Sequence, residues 1–267
     1  VVDVDVKANG VIATWQTRRL VLATGRDGLG GATVPDFMQG VDKRLWAHSS
    51  DEMDYATLTG MHVGVIGAGA SAMDSAATAL ESGAASVDLL IRRQHLPQIN
   101  KSKGSGVPGL THGQYLLPDA WKWRIRHYIN AQQVPPPHGS TLRVSHHDNA
   151  FFNLGCAVQS ATVVGDKLHV QTTAGVFVLD FLIISTGFAI DWSLRPEFAD
   201  IAPHVKLWSS RFMPEAGDED AELSASPDLG PLFEFQGDMP GLDHIHCFCY
   251  PAALSHGTVS GDIPAIS

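Results

Sequence analysis

A glycine-rich turn after a short apolar run is the strongest chemical signal in the sequence. The run Val63–Ile66 leads into 67-GAGASA-72, which has the pattern G-x-G-x-x-A. Gly67 permits a tight turn, Gly69 lets a pyrophosphate approach the backbone, and Ala72 lets the following helix pack on the strand. Free amides at the start of that helix stabilise phosphate charge. We therefore predict a dinucleotide site formed by Gly67, Gly69, Ala70, Ser71 and Ala72.

The residues on either side of this turn support the prediction. The Ala-rich stretch 70–82 predicts a helix with Gly83 as its C-terminal cap, and the apolar stretch 87–91 predicts a second strand. A unit of strand, turn, helix and strand within about 30 residues is the setting in which this pattern binds dinucleotides. The alternative is the same unit with a glycine turn and no ligand.

The end of the second strand indicates which dinucleotide is bound. Val87–Ile91 is followed by Arg92-Arg93 and not by the acidic residue that would accept a hydrogen bond from a ribose 2′-hydroxyl. A guanidinium pair suits a 2′-phosphate, whereas Asp88 lies too early in the strand to reach the ribose. Arg92 and Arg93 therefore favour NADP over NAD, and the alternative is a solvated strand end. Lys101–Lys103 are predicted either to close over the NADPH phosphates or to form a solvated loop.

Composition limits the classes of partner. The chain has 267 residues, 44% of them hydrophobic, and a formal net charge of -10. An acidic chain repels nucleic acid and anionic membrane, so neither is an expected partner.

The sequence has no apolar run of about 18 residues and no signal-peptide pattern. Three cysteines without framework spacing fit a reducing compartment. We expect a cytoplasmic protein with a small-molecule substrate, and the composition leaves a homo-oligomer open.

The segment 244-HIHCFC-249 contains metal-ligand types, but strand geometry separates them. Alternate residues of a strand face opposite ways, so Cys247 and Cys249 share one face while His244 and His246 share the other. Four ligands could not converge, so we predict a core strand and no metal site. The Cys-x-Cys spacing also lacks the two-residue gap of a disulfide reductase motif.

A hydrolase is also disfavoured. Ser255, His256 and Asp262 lie in one short segment, and the sequence has no G-x-S-x-G elbow to expose a nucleophile.

Hydrophobic periodicity predicts a mixed α/β fold. Residues 1–25 predict a β meander with a turn at Asn9-Gly10, and 158–185 predict three strands. Residues 242–250 predict another strand, and the acidic segment 214–230 predicts a surface loop. Residues 118–132 predict a helix whose apolar face carries Trp121, Ile125, Tyr128 and Ile129.

Two strands end in similar turns, 20-LVLATG-25 and 181-FLIISTGF-188, with the dinucleotide unit between them. This arrangement resembles the two-dinucleotide-binding-domain flavoproteins, in particular flavin-containing monooxygenases and related N-hydroxylating and Baeyer–Villiger enzymes. The resemblance extends to a crossover motif, whose residues here are more widely spaced, and to the terminal segment 255–267. The crossover residues are Phe37, Gly40, His48 and Tyr55.

The resemblance implies a Rossmann-like NADP-binding domain inserted between parts of an FAD-binding domain. The implied domains are an FAD-domain meander (1–40), an NADPH-binding domain (41–185) and C-terminal FAD-domain elements (186–267). It implies FAD and NADPH as cofactors, with hydride passing from NADPH to flavin and oxygen then passing to a small N-, S- or carbonyl-containing substrate. The cofactor carries this chemistry, so no catalytic triad is expected. The resemblance places His48 in the cleft between domains and places near the flavin Thr24, Gly25, Thr186, Gly187, Gly261 and Asp262.

Two other functions remain open at this point. One is a flavin-dependent NADPH reductase that transfers no oxygen, and the other is a non-catalytic NADP-binding module. No G-x-G-x-x-G stands near the N-terminus, where the family carries its FAD fingerprint. We therefore expect the chain to be part of a longer protein or a truncated product, and to bind FAD poorly by itself.

Overall fold

The computed structural model describes residues 1–100, 107–132 and 134–257. The chain divides into two compact units, and the second is an insertion in the sequence of the first. Unit 1 consists of Val1–Gly31, Lys101–Gln132 and Phe188–Ser267. Unit 2 consists of Ala32–Asn100 and Gln133–Gly187.

The strands are β1 (Val2–Ala8), β2 (Val11–Thr17), β3 (Leu20–Leu22), β4 (Gly30–Ala32), β5 (Trp46–His48), β6 (His62–Ile66), β7 (Ser86–Ile91), β8 (Ala150–Leu154), β9 (Val158–Val164), β10 (Lys167–Thr172), β11 (Gly175–Leu179), β12 (Phe181–Ile184), β13 (Phe188–Ile190) and β14 (Ile245–Cys247). The helices are α1 (Ala70–Glu81), α2 (Pro108–Gly113), α3 (Asp119–Gln132), α4 (His138–Ser145), α5 (Trp208–Arg211), α6 (Ala221–Ser224) and α7 (Ala253–His256).

A five-stranded parallel sheet forms the centre of unit 2. Its strand order is β5-β12-β6-β7-β8, and every neighbouring pair is parallel. Val63 and Val65 of β6 and Leu89 of β7 are fully buried, as is Ala76 of α1, which packs in the same core. Strands covered on both faces are apolar at almost every position, as these are. The predicted strand, turn, helix and strand are confirmed as β6, α1 and β7, and with them the Rossmann-like α/β fold.

Residues 176–185, predicted as the last of the three strands, form two strands in the structure, β11 and β12. β9, β10 and β11 form an antiparallel sheet, but Asp180 ends that sheet and β12 joins the parallel one. The Asp180 carboxylate accepts a hydrogen bond from the His62 amide at 2.9 Å and another from Lys167. The apolar runs on either side of Asp180 look continuous in the sequence, so the prediction of a single strand was wrong.

In unit 1, β1 and β2 form the predicted hairpin. Asn9 and Gly10 have φ of 50° and 79°, the left-handed values of a type I′ turn. β3 does not extend this hairpin into a meander, because it pairs in parallel with β14, so that part of the prediction was wrong. Leu22 and Cys247 are buried at the end of this parallel pair.

The helix predicted at 118–132 is present as α3, but the predicted buried face was wrong. Lys122, Trp123 and Arg126 are its buried residues, whereas Trp121 is 56% exposed and Tyr128 50% exposed. The Trp123 indole N–H donates to the Asp218 carbonyl at 2.8 Å, and this bond helps to turn the face that carries Trp123 toward the core.

The acidic segment 214–230 is only partly a surface loop. It contains α6, and Leu223 and Asp228 are buried, with 3% and 4% exposure. The Asp228 carboxylate is paired with Arg211 and Lys206, which allows it to be buried.

Candidate functional site

One edge of the parallel sheet in unit 2 collects most of the predicted site residues. In the sheet register, Ile66 of β6 lies opposite Ile184 of β12 and Leu90 of β7. The segments that follow these strands therefore leave the sheet side by side at its carboxyl edge. In open α/β sheets this is the edge at which ligands bind.

The turn after β6 has the glycines that a bound pyrophosphate requires. Gly67 has φ of 132°, and a Cβ there would lie 2.7 Å from the Ser185 carbonyl oxygen and 3.3 Å from the Ala72 Cβ. The fold itself therefore requires glycine at 67. Gly69 has an ordinary φ of -86°, and a Cβ there would meet no atom within 4 Å. The space beside Gly69 is open, as expected where a ligand approaches the backbone.

The start of α1 has free donors. Its first helical hydrogen bond runs from the Met73 amide to the Gly69 carbonyl at 3.1 Å, and Gly69 supplies no side-chain cap. The amides of Ala70, Ser71 and Ala72 precede this bond, so they lack an intrahelical acceptor. Ala72 is fully buried under the turn. These residues fit a phosphate group, because donors and helix dipole both favour negative charge there.

The two arginines follow β7 beside this turn. Arg92 is exposed and Arg93 half-buried, and neither guanidinium forms an ion pair within the described part of the chain. The Gly155 amide donates to the Arg93 carbonyl at 2.7 Å, which fixes the backbone. Asp88 accepts a hydrogen bond from the Asn153 side chain at 3.0 Å, so it is engaged inside the sheet. The choice of NADP over NAD stays a prediction.

His48 lies at the same edge, at the end of β5. Its Nδ1 accepts from the Ser50 amide at 3.2 Å and lies 2.7 Å from the Ser50 hydroxyl. Burial lowers the pKa of the His48 ring, and the nearby Asp51 carboxylate, with the Gly187 backbone, opposes that shift. With Nδ1 accepting, the proton of the neutral ring is assigned to Nε2.

The glycines of the two Thr-Gly turns have nearly the same φ. Gly25 and Gly187 have φ of 85° and 83°, values that strongly favour glycine. In unit 2 the Thr186 hydroxyl donates to the Thr33 carbonyl, and in unit 1 the Thr24 hydroxyl donates to the Gly28 carbonyl at 3.5 Å.

Thr186 and Gly187 thus share the sheet edge with the glycine-rich turn, whereas Thr24 and Gly25 belong to unit 1. Their predicted contact with flavin stays a prediction. Gly261 and Asp262 lie outside the described residues, and so do Lys101–Lys103.

The Ser255-His256 pair does not form a catalytic dyad. The Ser255 hydroxyl accepts from the Trp208 indole at 3.0 Å, and the His256 Nε2 bonds the Gly230 carbonyl at 3.0 Å. The His256 ring stacks on Phe233, with ring centroids 3.7 Å apart. Burial lowers the pKa of His256 to about 4.

Within the described ranges, no three His, Cys, Asp or Glu side chains could hold a metal ion, and every helix is too short or too polar to cross a bilayer.

Sequence reasoning missed two residues that position the candidate site. Ser50 orients the His48 ring, and Thr33 donates its amide to the Gly187 carbonyl at 2.8 Å. The Ser50 contact is local, because Ser50 is only two residues after His48 in the sequence. The Thr33 contact joins residues far apart in the sequence, so no local spacing could have indicated it.

The chain is similar to known flavin-dependent enzymes. A family model described as L-lysine 6-monooxygenase/L-ornithine 5-monooxygenase matches residues 1–105. A FAD-dependent urate hydroxylase from Xanthomonas campestris pv. campestris is 33% identical over 250 residues, which cover 92% of this chain and 53% of that protein. The chain therefore spans about half the length of this curated relative.

Solved structures share the fold at low sequence identity. Ornithine hydroxylase from Pseudomonas aeruginosa has a TM-score of 0.66 at 18% identity, covering 95% of this chain and 60% of that one. L-lysine 6-monooxygenase from Pseudomonas syringae has a TM-score of 0.65 at 14% identity, covering 96% and 64%. An ornithine N-hydroxylase from Kutzneria sp. 744 has a TM-score of 0.66 at 16% identity, covering 97% and 63%. The resemblance predicted from the motifs is confirmed: the chain is similar to flavin-dependent monooxygenases and hydroxylases.

Proposed function

We propose that the chain is the NADPH-binding part, with C-terminal FAD-domain elements, of an FAD- and NADPH-dependent monooxygenase. In this proposal oxygen is transferred to a small substrate that contains nitrogen, sulfur or a carbonyl group. The observation that carries the proposal is the carboxyl edge of the parallel sheet. There an open glycine turn and an uncapped helix start lie beside two arginines that form no ion pair with any residue that the structure describes.

The residues of this edge would divide the work of holding NADPH. Gly67, Gly69 and the amides that open α1 would hold the pyrophosphate. Arg92 and Arg93 would bind the 2′-phosphate through charge-assisted hydrogen bonds. His48 lies opposite Ile184, the last residue of β12, and would line the cofactor cleft beside the Thr186–Gly187 turn.

FAD, when bound, supplies the redox centre that accepts the hydride and reduces oxygen. On this chain Thr24, Gly25, Thr186 and Gly187 are proposed to face it, and their left-handed glycines allow close approach of a planar ring to the backbone. Gly261 and Asp262 belong to the same proposal. The protein's further task is to exclude water from the reacting atoms.

The substrate class is proposed from the relatives' names. The curated relative is named for urate, and the solved relatives for ornithine and lysine, all nitrogen-containing small molecules. A substrate panel of urate, ornithine and lysine would therefore be the first to assay. A hydroxylated product in the presence of oxygen supports a monooxygenase. NADPH consumption that yields only hydrogen peroxide with every substrate supports the alternative, a flavin-dependent reductase.

The first experiment is a visible absorption spectrum of the protein supplied with FAD, recorded before and after anaerobic NADPH. Flavin absorbance that bleaches on addition of NADPH is expected. NADPH binding without any retained flavin would show that these residues bind only the nucleotide, in agreement with the poor FAD binding expected from the sequence; activity would then be tested after residues that bind FAD are supplied. A cytoplasmic location and a homo-oligomer belong to the proposal as well; cell fractionation and light scattering test them.

The choice of NADPH is tested with Arg92→Ala. Loss of one charge-assisted pair to phosphate costs about 1.5–3 kcal/mol, so NADPH affinity should fall about 10- to 100-fold while NADH affinity stays nearly constant. Arg44→Ala is a matched control, because Arg44 is an exposed arginine of the same unit that pairs with Asp42. Equal weakening of NADPH and NADH by Arg92→Ala would refute the 2′-phosphate assignment.

A further inference from the structure

Two of the three cysteines lie in contact in the core of unit 1. Cys247 ends β14, Cys249 follows two residues later, and their Sγ atoms are 3.3 Å apart. Both residues are fully buried. The third cysteine, Cys156, is buried in a core cluster of unit 2 and serves as an internal reference.

The two thiols have different neighbours. Thr24 is exposed, and its hydroxyl together with the Cys249 side chain borders the space beside Gly28. A Cβ at Gly28 would lie 2.3 Å from the Thr24 hydroxyl oxygen and 2.9 Å from the Cys249 Sγ. Cys249 therefore packs against the Thr24 side chain and Gly28, and its Sγ contacts the Cys247 Sγ on its other side.

The environment makes the two thiols unequal. The contact with the Cys247 thiol, aided by the Thr24 hydroxyl, lowers the pKa of Cys249, and burial opposes this shift. The same contact, together with burial, raises the pKa of Cys247. Since the thiolate is the nucleophile, we expect Cys249 to be the attacking sulfur.

We propose that Cys247 and Cys249 form a peroxide-reactive dithiol site that closes to an intramolecular disulfide. The Cys249 thiolate attacks the O–O bond of hydrogen peroxide, taking one oxygen as a sulfenic acid, and the other oxygen leaves as water after protonation. The Cys247 sulfur then attacks the sulfenic sulfur, the S–S bond forms, and a second water leaves. Two thiols lose two electrons and two protons, and one peroxide becomes two waters.

Closing the disulfide needs a small movement of the two sulfurs, which must approach from 3.3 Å to a bond length of about 2.05 Å. Exchange with an external thiol reduces such a disulfide, so the modification is reversible. It needs no bound cofactor and does not depend on the proposed function.

The test uses the full chain and its own tryptic map. Reduced protein is treated with hydrogen peroxide, denatured, blocked with N-ethylmaleimide and digested with trypsin. Cys156 lies in fragment 144–167, and both Cys247 and Cys249 lie in fragment 212–267, which contains no internal Lys or Arg. We expect fragment 212–267 without maleimide and lighter by two hydrogens, while fragment 144–167 carries one maleimide. Dithiothreitol should restore both labelled thiols.

Variants identify the attacking sulfur. Cys247→Ser should leave a sulfenic acid at 249 that dimedone traps, Cys249→Ser should react much more slowly, and Cys156→Ser should still form the disulfide. If a variant fails to fold, the wild-type fragment map alone decides. Persistence of both thiols, direct conversion to sulfinic acid without a disulfide, or loss of Cys156 at the same rate would each overturn the proposal.

Discussion

The two units bury different kinds of side chain. The core of unit 2 is aliphatic and rich in alanine. The ion pair between Arg143 and Glu81 of this unit lies at the surface, with side chains 42% and 44% exposed. Unit 1 has short strand pairs and buries Lys122 and Asp228, which are 2% and 4% exposed. A sheet fixes backbone segments through hydrogen bonds, whereas buried charges are tolerated only while their partners remain. The difference predicts where each unit is vulnerable.

The largest effect should come from Arg211→Ala in unit 1. Arg211 bonds both carboxylate oxygens of Asp119, at 2.9 and 2.8 Å, and one oxygen of Asp228 at 2.5 Å. Its loss leaves Asp228 buried with Lys206 alone, so the free energy of unfolding should fall by about 3–5 kcal/mol. Arg143→Ala in unit 2 is the matched control and should cost about 1 kcal/mol or less. Urea unfolding of both variants measures this, and equal effects would remove the contrast between the units.

Unit 1 should also lose stability in mild acid. The folded pKa of His256 is about 4 because the ring is buried, with Lys122 adding a smaller repulsion, and the ordinary value is 6.5. Between pH 6.5 and pH 4 the unfolded chain therefore binds more protons than the folded chain. The contribution of His256 to the free energy of unfolding is fully present above pH 6.5 and is lost as the pH falls toward 4. The loss is on the order of 3 kcal/mol.

His256→Asn should flatten this part of the pH dependence of unfolding. His138→Asn, which replaces an exposed histidine at the start of α4, should leave it unchanged. An unaltered slope in His256→Asn would show that other groups cause the acid sensitivity.

In unit 2 we expect stability to be most sensitive at Gly67, where the backbone conformation leaves no room for a side chain. Gly67→Ala places a Cβ 2.7 Å from the Ser185 carbonyl at a φ of 132°, so we expect a loss of about 2 kcal/mol in thermal unfolding experiments. Gly69→Ala has open space and an ordinary φ, and its stability should stay within about 0.5 kcal/mol of the original. Equal stability of the two variants would contradict the role assigned to the turn.

The smallest effect is on binding alone. The methyl group of Gly69→Ala would occupy space proposed for the pyrophosphate, so NADPH affinity should fall about tenfold, or 1.4 kcal/mol, in fluorescence titration. Unchanged affinity would place the dinucleotide elsewhere.

The same contrast explains what the sequence could predict. The unit from β6 to β7 was predictable because apolar periodicity, turn glycines and helix propensity all act over about 30 residues. The inward face of α3 was not, because its orientation depends on partners such as the Asp218 carbonyl, about 95 residues away. The split at Asp180 depends on contacts to His62 and Lys167 that leave no trace in local periodicity.

Part of the candidate site was likewise predictable from the sequence, and part depends on tertiary packing. The glycine turn and the two arginines follow strands, and a strand order fixed by apolar pattern brings them to one edge. Contacts such as Thr33 to Gly187 and Cys247 to Cys249 depend on tertiary packing and on side-chain rotamers, which spacing alone does not determine.

The hydrogen bond between the Thr33 amide and the Gly187 carbonyl has a consequence for the order of folding. It joins the two ends of the stretch that contains unit 2, 2.8 Å apart. Closing a flexible loop of about 150 residues would cost about 4–5 kcal/mol in chain entropy. If unit 2 folds first, its own structure brings these ends together, and the distant strands β3 and β14 then pair as if they were close neighbours along the chain.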